Sequence, residues 1–257
     1  MKIGYALFSA VSVSQTSEEL RHVIRKVAEM GYDGVEFFQY ADMPAAELKQ
    51  LLEECGLQAI STHVHKPRWD GDGAKREIAY AAEAGIPKLV YPWIAPELRT
   101  GTFYRALPGE LAGLAQQCAE HGIKLEYHNH EFEFEKLGSE TVLEHLLSQS
   151  DAYGLELDTF WTDYAGVDPV TLLYELGDRV SMIHMKDYAS HGGFFDDGGE
   201  HPTFCPVGEG RMPNQRILEC AREMNKDWLI VELDNSPLHP LESARISLEN
   251  IRKMMQK

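Results

Sequence analysis

Positive charge is scarce in this sequence of 257 residues, which has 24 lysines and arginines against 41 aspartates and glutamates and a net charge of −17 at pH 7. A field of that sign repels phosphate backbones and anionic lipids, so we expect neither a nucleic-acid nor a membrane partner. No apolar run approaches the roughly 20 residues of a membrane-spanning helix. The N-terminal segment has a short apolar stretch without a small-residue cleavage pattern, and we interpret it as a first strand rather than a signal peptide.

Cysteine is also rare, since the chain has four cysteines and no CxxC pair. So few cysteines in a chain of this length do not make a disulfide framework. We therefore expect reduced packing cysteines in a cytoplasmic protein. Cys205, in a segment rich in glycine and proline, is the one cysteine for which a catalytic or metal-binding role stays open.

A regular alternation of short β-rich runs and longer amphipathic stretches dominates the chain. Several of the runs are continuously apolar, as strands buried on both faces require. The pattern predicts eight strands, at Ile3–Phe8, Gly34–Phe38, Gln58–Val64, Lys88–Trp93, Ile123–His130, Tyr153–Thr159, Val180–Asp187 and Trp228–Asp234.

Eight strands that alternate with helices predict an α/β protein with a single (β/α)8 TIM barrel. A doubly wound open sheet is the alternative, but no GxGxxG turn follows the first strand. No linker or charge run divides the chain, so we interpret residues 1–257 as one domain. The longest interruption, at about 188–212, contains six glycines and is predicted to be a lid-like insertion.

Polar side chains are concentrated in the last four predicted strands, which read LEYHNHEFEFE, GLELDTFW, MIHMKDY and IVELDN. Barrel strands alternate between interior and exterior residues, and the active site lies at their carboxyl ends. Each strand therefore aims one ligand at a central point, and these ligands are Glu126, Asp158, His184 and Glu232. Three carboxylates packed so closely favour a bound cation. The set predicts one divalent metal ion, with Mn²⁺ first and Mg²⁺, Co²⁺ or Zn²⁺ as alternatives. Buried salt bridges without a metal are the non-functional alternative.

The succession LEYHNHEFEF, ELDTFW with AGVDP, HMKD, VGEGRMP and VELD resembles the sugar phosphate isomerase/epimerase family of the xylose-isomerase-like TIM barrel superfamily. The resemblance covers essentially the whole chain. It implies a metal-dependent isomerase or epimerase of a sugar or keto-polyol, acting by proton transfer through a metal-stabilised enediolate. In similar epimerases the metal ligands come from the last four strands, and by motif they fall on Glu126, Asp158, His184 and Glu232.

The predicted catalytic residues are Glu126, Glu232 and Lys186. A metal bound to substrate oxygens polarises a carbonyl and acidifies the neighbouring C–H group. Glu126 and Glu232, at either flank of the metal, are expected to remove and return the proton, and the resemblance implies the same pair. Lys186 either hydrogen-bonds the developing enolate oxygen or pairs with Asp187 or Asp158.

Six residues are predicted to contact the expected partner, a small sugar or polyol, and these are His63, His65, His128, His130, Trp161 and Arg211. For His128 and His130, the two histidines of strand five, the alternative to substrate contact is structural support of Glu126. Lys124 and Glu156 are expected to form a buried structural pair.

The substrate's phosphorylation state stays open. Barrels bind phosphate with glycine-rich turns after strands seven and eight, and Gly208, Gly210 and Arg211 offer a partial version of such a turn. Free and phosphorylated sugars are both compatible with that pattern.

Three other functions compete with isomerisation. An inosose-type dehydratase uses the same enolate but expels a β-hydroxyl, with His130 or Lys186 as the acid. An endonuclease IV-like phosphoesterase needs several metals and a basic face, which the net charge disfavours. A non-catalytic sugar-binding protein is the third.

The acidic and apolar helix surfaces are compatible with a homo-oligomer.

Overall fold

The eight predicted strands form a closed barrel in the computed structural model, which describes residues 1–194 and 200–256. Each strand is shorter than its sequence pattern by one to three residues, mostly at the carboxyl end, and the residues left over enter the loops above the barrel. The barrel strands, β1 to β8, are Lys2–Ala6, Gly34–Phe37, Gln58–His63, Lys88–Tyr91, Lys124–His128, Gly154–Asp158, Val180–Met185 and Trp228–Val231.

All barrel pairings are parallel, and β8 closes the barrel against β1. The (β/α)8 prediction is therefore confirmed. Register places Glu126 of β5 beside Gly154 of β6, and His128 beside Glu156. Asp158, the last residue of β6, pairs with His184 of β7. These pairings set the height at which each polar side chain enters the barrel.

Amphipathic helices surround the barrel because their apolar faces pack on the outer surface of the strands. In α1, Thr16 and Glu19 form a reciprocal capping box, and Gly31 ends the helix with φ of 93°, a conformation that favours glycine. Within the described residues the long helices, α1 to α8, are Ser17–Met30, Ala45–Cys55, Gly73–Ala84, Gly101–Ala119, Val142–Gln149, Pro169–Leu176, Asn214–Glu223 and Pro240–Met255.

Short elements occupy the loops. The short helical turns are Leu7–Val13, Lys66–Trp69, Pro96–Leu98, Phe132–Phe134, Thr159–Tyr164 and Gly177–Arg179, and one small strand pair joins Lys136–Leu137 to Glu140–Thr141. In the described part of the chain, no helix combines the length and apolar character needed to cross a membrane. All four cysteines, each in a described segment, carry free thiols.

The insertion predicted at 188–212 contains an antiparallel strand pair, Tyr188–Phe194 with Glu200–Phe204. Its base is packed onto the barrel mouth, because the rings of Tyr188 and Phe204 both lie against Phe160, with centroids 5.3 and 4.7 Å away. Residues 195–199, part of the predicted lid, lie outside the described residues. Movement of this insertion over the site stays a prediction.

Two layers fill the part of the barrel that positions the site. Five side chains from five strands form a small apolar cluster separate from the main core, and these are Ala6, Ile60, Val90, Met182 and Ile230. Polar side chains nearer the carboxyl ends of the barrel strands form a second layer. Because the apolar cluster closes the barrel below them, the polar groups open only toward the cavity at its mouth.

Candidate metal centre and substrate cavity

Buried histidines and carboxylates converge at the carboxyl ends of β5 to β8. Among the described residues, two overlapping groups have ligand atoms within 4.8 Å of one another. The upper group is His128, Asp158, His184 and Glu232, and the lower group is His63, His128, Glu156 and His184. Every member is buried.

The upper group, one residue from each of four consecutive strands or strand ends, suits a divalent cation. Its nearest approaches are His184 Nδ1 to Glu232 Oε2 at 2.9 Å and His128 Nε2 to Asp158 Oδ2 at 3.8 Å. Asp158 Oδ2 is buried and makes no hydrogen bond to any residue that the structure describes, although the Lys186 ammonium lies 3.1 Å away. Two imidazoles and two carboxylates form a mixed nitrogen and oxygen ligand set, which suits Mn²⁺, Co²⁺ or Zn²⁺ better than the oxygen-preferring Mg²⁺.

The structure does not bring Glu126 to the ligands predicted with it. Glu126 shares a strand face with His128, but it pairs in register with Gly154, four residues before Asp158. Four residues of strand correspond to about 13 Å, so this carboxylate lies too deep to join the cluster. It contacts Lys88 instead, with Nζ 3.7 Å from Oε1, and a Cβ at Gly154 would collide with its other oxygen. The strand-five residue of the upper group is His128.

Lys186 is surrounded by three carboxylates. Its Nζ lies 2.6 Å from Asp234, 2.9 Å from Glu232 and 3.1 Å from Asp158. Burial opposes the charged form of Lys186, but the three neighbouring carboxylates outweigh it and raise the pKa of the ammonium. Asp187, the alternative partner considered for Lys186, has a different role.

The pKa values of two carboxyls beside Lys186, those of Asp234 and Glu232, are shifted in opposite directions. Burial raises the pKa of Asp234 to about 6, despite the opposing effect of the Lys186 ammonium. For Glu232, burial is outweighed by Lys186 and His184, which together lower the pKa of the carboxyl. Glu232 therefore stays ionised beside a fixed cation.

Two carboxylates lie below the ligands, one with a different partner from the one predicted and one, Glu36, without a predicted role. Glu156 does not pair with Lys124, which is exposed, but contacts His63 and His128 at 2.7 and 3.0 Å. Glu36 of β2 lies 2.8 Å from His184 Nε2. The signal available in the sequence was the isolated acid in the apolar run GVEFF, since an unpaired buried carboxylate is costly.

A cavity of about 330 Å³ opens above the cluster at the barrel mouth. It has an aromatic wall of Phe8, Phe38 and Trp93, which suits the apolar face of a sugar ring. The lining residues are Phe8, Phe38, His63, His65, Pro92, Trp93, His128, His130, Lys186, Glu232 and Asp234. Four of the six predicted substrate contacts, all of them histidines, therefore face this cavity.

His130 and Trp161 stand beside each other at the cavity edge, with ring centroids 5.5 Å apart. The backbone N–H of His130 donates to Glu133 at 2.7 Å, which holds the loop after β5 in place. Nδ1 of His130 is buried and has no hydrogen-bond partner among the described residues. Trp161 is not among the lining residues, and its ring lies 5.5 Å from Lys186 Nζ.

The glycine-rich turn proposed for phosphate is already filled by a side chain of the protein. Asp187 accepts hydrogen bonds from the backbone N–H groups of Gly208 at 2.9 Å, Gly210 at 3.1 Å and Met212 at 3.0 Å. Arg211 has an exposed side chain and does not line the cavity. The amides that a phosphate would need are therefore engaged by a carboxylate.

We expect Asp187→Asn to destabilise the fold strongly. Asp187 also accepts from the Tyr188 N–H and the Asn214 amide, so the substitution puts an amide opposite five donors. Loss of charged, buried hydrogen bonds of this kind should lower the free energy of unfolding by about 3 kcal/mol or more. Chemical denaturation measures it. Asp168→Asn at the start of α6 is the matched control, because asparagine caps helices well, and equal losses in the two variants would contradict the assignment.

Comparison with known proteins agrees with this architecture. A family profile described as xylose isomerase-like TIM barrel matches residues 24–254. The rhizopine catabolism protein MocC of Rhizobium meliloti is 27% identical over 91% of this chain and 81% of its own length. Inosose dehydratase of Geobacillus kaustophilus is 25% identical over 91% of this chain and 86% of the enzyme.

Two solved structures share the fold. A sugar phosphate isomerase/epimerase from Parabacteroides distasonis superposes with a TM-score of 0.80 at 19% identity, covering 98% of this chain and 93% of the other. The IolI protein, whose crystal structure has a bound zinc atom, superposes with a TM-score of 0.72 at 15% identity, covering 100% and 98%. At these identities the likeness concerns the fold alone.

Proposed function

This chain belongs to the xylose isomerase-like TIM barrel family, and on that premise we propose that it removes a proton beside the carbonyl group of a sugar or keto-polyol at a divalent metal centre. The observation that carries the proposal is the position of Glu232, which belongs to the upper ligand group and also lines the cavity. A substrate in the cavity therefore meets an ionised carboxylate next to the metal ligands.

His128, Asp158, His184 and Glu232 would hold the metal. A divalent ion bound there supplies Lewis acidity, which polarises a substrate carbonyl and acidifies the adjacent C–H group. Mn²⁺, Co²⁺ and Zn²⁺ are the proposed ions, and the mixed ligand set supports them over Mg²⁺.

Glu232, Lys186 and Asp234 would then have separate roles in the proton transfer. Glu232 accepts the proton from the carbon beside the carbonyl. Lys186 donates a hydrogen bond to the oxygen on which negative charge develops, and Asp234, 2.6 Å away, holds the ammonium in place from outside the ligand group. The aromatic wall of the cavity keeps water from the reacting carbon.

Dehydration is the outcome that this geometry supports best. Epimerisation through two carboxylates needs one on each face of the carbon, and Glu126 is too deep to be the second. Elimination needs one base and one acid: the C–H proton passes to Glu232, the C–O bond of the β-hydroxyl breaks, and the Lys186 ammonium protonates the leaving group to give water and a C=C bond. Burial lowers the pKa of His130, so its neutral imidazole does not supply that proton. The similarity to inosose dehydratase over most of both chains supports the same outcome.

Isomerisation or epimerisation is the second candidate. His130 favours it, because its Nδ1 is buried without a hydrogen-bond partner beside the cavity. A neutral imidazole there would accept the proton from one carbon and, as imidazolium, return it to the other carbon of the enediolate.

The proposed substrate carries no phosphate. The backbone amides of the glycine-rich turn are engaged by Asp187. Lys186 is the single lysine or arginine among the residues that line the cavity, and three carboxylates surround it. Among the described lining residues, a phosphate dianion would therefore meet no lysine or arginine side chain that is not already paired with carboxylates.

A substrate panel in D₂O with Mn²⁺ tests this function. We expect deuterium at the carbon beside the carbonyl of an unphosphorylated keto-polyol, seen by NMR, with ultraviolet absorbance from an unsaturated product if water is lost. Phosphorylated substrates should react with a kcat/KM at least about 10-fold lower, a penalty of about 1.4 kcal/mol at the barrier. Preference for the phosphorylated forms would contradict the substrate class, and cleavage of abasic DNA would contradict the reaction class.

A further inference from the structure

Three side chains join into a chain of contacts directly below the metal ligands. His63 Nε2 lies 2.7 Å from Glu156 and 3.3 Å from Glu36. Ser61 donates to the other oxygen of Glu36 at 2.6 Å. Glu36, His63 and Glu156 are 2, 6 and 0% exposed. We call these three residues the carboxylate bridge.

In each of the two ligand histidines, the carboxylate bridge contacts the ring nitrogen that faces away from the upper ligand group. Glu156 Oε2 forms a hydrogen bond of 3.0 Å with His128 Nδ1. Glu36 Oε1 lies 2.8 Å from His184 Nε2 as an ion-pair contact, although within the described residues this nitrogen makes no hydrogen bond. The opposite nitrogens point to the upper group, since His128 Nε2 faces Asp158 and His184 Nδ1 faces Glu232. Each imidazole thus spans from a buried carboxylate to the metal centre.

An imidazole can ligate a metal only through a nitrogen that carries no proton. Carboxylates face both nitrogens of each ring. An ion held by Asp158 and Glu232 would take the lone pair of the nitrogen that faces the upper group, and the carboxylate below would then keep the N–H on the other nitrogen. We propose that Glu36 and Glu156, joined by His63, are positioning residues that orient His128 for ligation through Nε2 and His184 for ligation through Nδ1. The inference rests on the metal centre of the proposed function.

The burial of these carboxylates argues for a purpose beyond stability. Two carboxylates that contact the same imidazole nitrogen inside the barrel are costly to bury, and replacing such groups with apolar residues is often neutral or stabilising. Second-layer partners of metal-bound histidines typically contribute 10–100-fold to metal affinity. A second ion bound by the lower group would need the same nitrogens that face Glu36 and Glu156, so it is an alternative to positioning and an outcome of the test.

Metal binding by the apoprotein tests the proposal without reference to activity. We expect one Co²⁺ or Zn²⁺ ion per chain by titration calorimetry, and a dissociation constant about 10–100-fold weaker in Glu36→Gln and in Glu156→Gln. The Co²⁺ absorption spectrum should shift in both variants, because the histidine ligands change orientation. Glu126→Gln makes the same chemical change on a buried carboxylate of the same barrel, and it should bind metal with wild-type affinity.

The wild-type protein provides a readout that does not depend on any variant folding. In the Zn²⁺-loaded protein, ¹⁵N chemical shifts should show the proton on Nδ1 of His128 and on Nε2 of His184. The opposite tautomers would overturn the proposal, and so would unchanged affinity in both glutamine variants.

The failures of the two proposals are distinguishable. If the wild-type protein binds no divalent metal, the proposed function fails. If it binds one ion that both glutamine variants hold equally well, the function stands and the carboxylate bridge does not position the ligands. Two ions per chain, with one lost in Glu156→Gln, would make that carboxylate a ligand and overturn the positioning role.

Discussion

Replacing His184 with alanine is expected to leave the purified protein without its divalent metal and without measurable turnover. His184 is one of four proposed protein ligands, and its Nδ1 faces the other members of the upper ligand group. The alanine variant therefore retains three of the four ligands. Because second-layer changes already cost 10–100-fold in affinity, loss of a ligand should cost more than about 100-fold. Asp158→Asn should have the same effect on the metal.

Elemental analysis of the variants after dialysis measures this result directly. Asp158 also caps the short helix Thr159–Tyr164 by accepting from the Trp161 N–H at 2.9 Å, and asparagine retains this cap, so Asp158→Asn should fold. His65→Ala removes a cavity histidine that is in neither ligand group, and it should retain the metal. Stoichiometric metal in both Asp158→Asn and His184→Ala would refute the site.

Glu232→Gln should lower turnover by more than about 100-fold while most of the metal stays bound. The amide keeps an oxygen that can ligate, but it cannot accept a proton from carbon, and loss of a general base costs at least about 10²-fold. Deuterium exchange into the substrate from D₂O should stop in this variant, because the proposed base faces the exchanging carbon from the cavity wall.

The matched control for this experiment is again Glu126→Gln. The sequence pairs Glu126 with Glu232 as acid and base, whereas the structure places Glu126 at the level of Gly154, next to Lys88. We expect near-normal turnover and exchange in this variant. A collapse of turnover in Glu126→Gln, with Glu232→Gln unaffected, would reverse the assignment. If both retain turnover with metal bound, His130 or Lys186 is the base.

Much of the site could be predicted from local pattern. Alternation along β6, β7 and β8 correctly brought Asp158, His184 and Glu232 to one point, because side chains two residues apart share a strand face. The barrel followed from eight apolar runs separated by capped helices. Four predicted substrate contacts, His63, His65, His128 and His130, line the cavity for the same reason.

Alternation along β5 correctly placed Glu126 on the same strand face as His128, but it did not predict how far Glu126 lies from the carboxyl end of the barrel. Glu126 and His128 are equivalent by alternation, and the choice between them depends on how β5 pairs with its neighbours. Register between strands is a property of the closed barrel, set by strand tilt and stagger rather than by either strand alone. The same information is needed to see that Asp187, rather than a phosphate, occupies the glycine-rich turn.

The sequence by itself therefore determined the (β/α)8 barrel, the strand ends that carry the polar residues and the acidic character of the site. Only the tertiary structure decided which strand-five residue reaches the cluster, and that Glu36 and Glu156 lie beneath the ligand histidines. Periodicity depends on neighbours in one strand, which the sequence lists in order. The contacts of His63 on β3 with Glu36 on β2 and with Glu156 on β6 join residues 27 and 93 positions apart, and they exist together only after the barrel has closed.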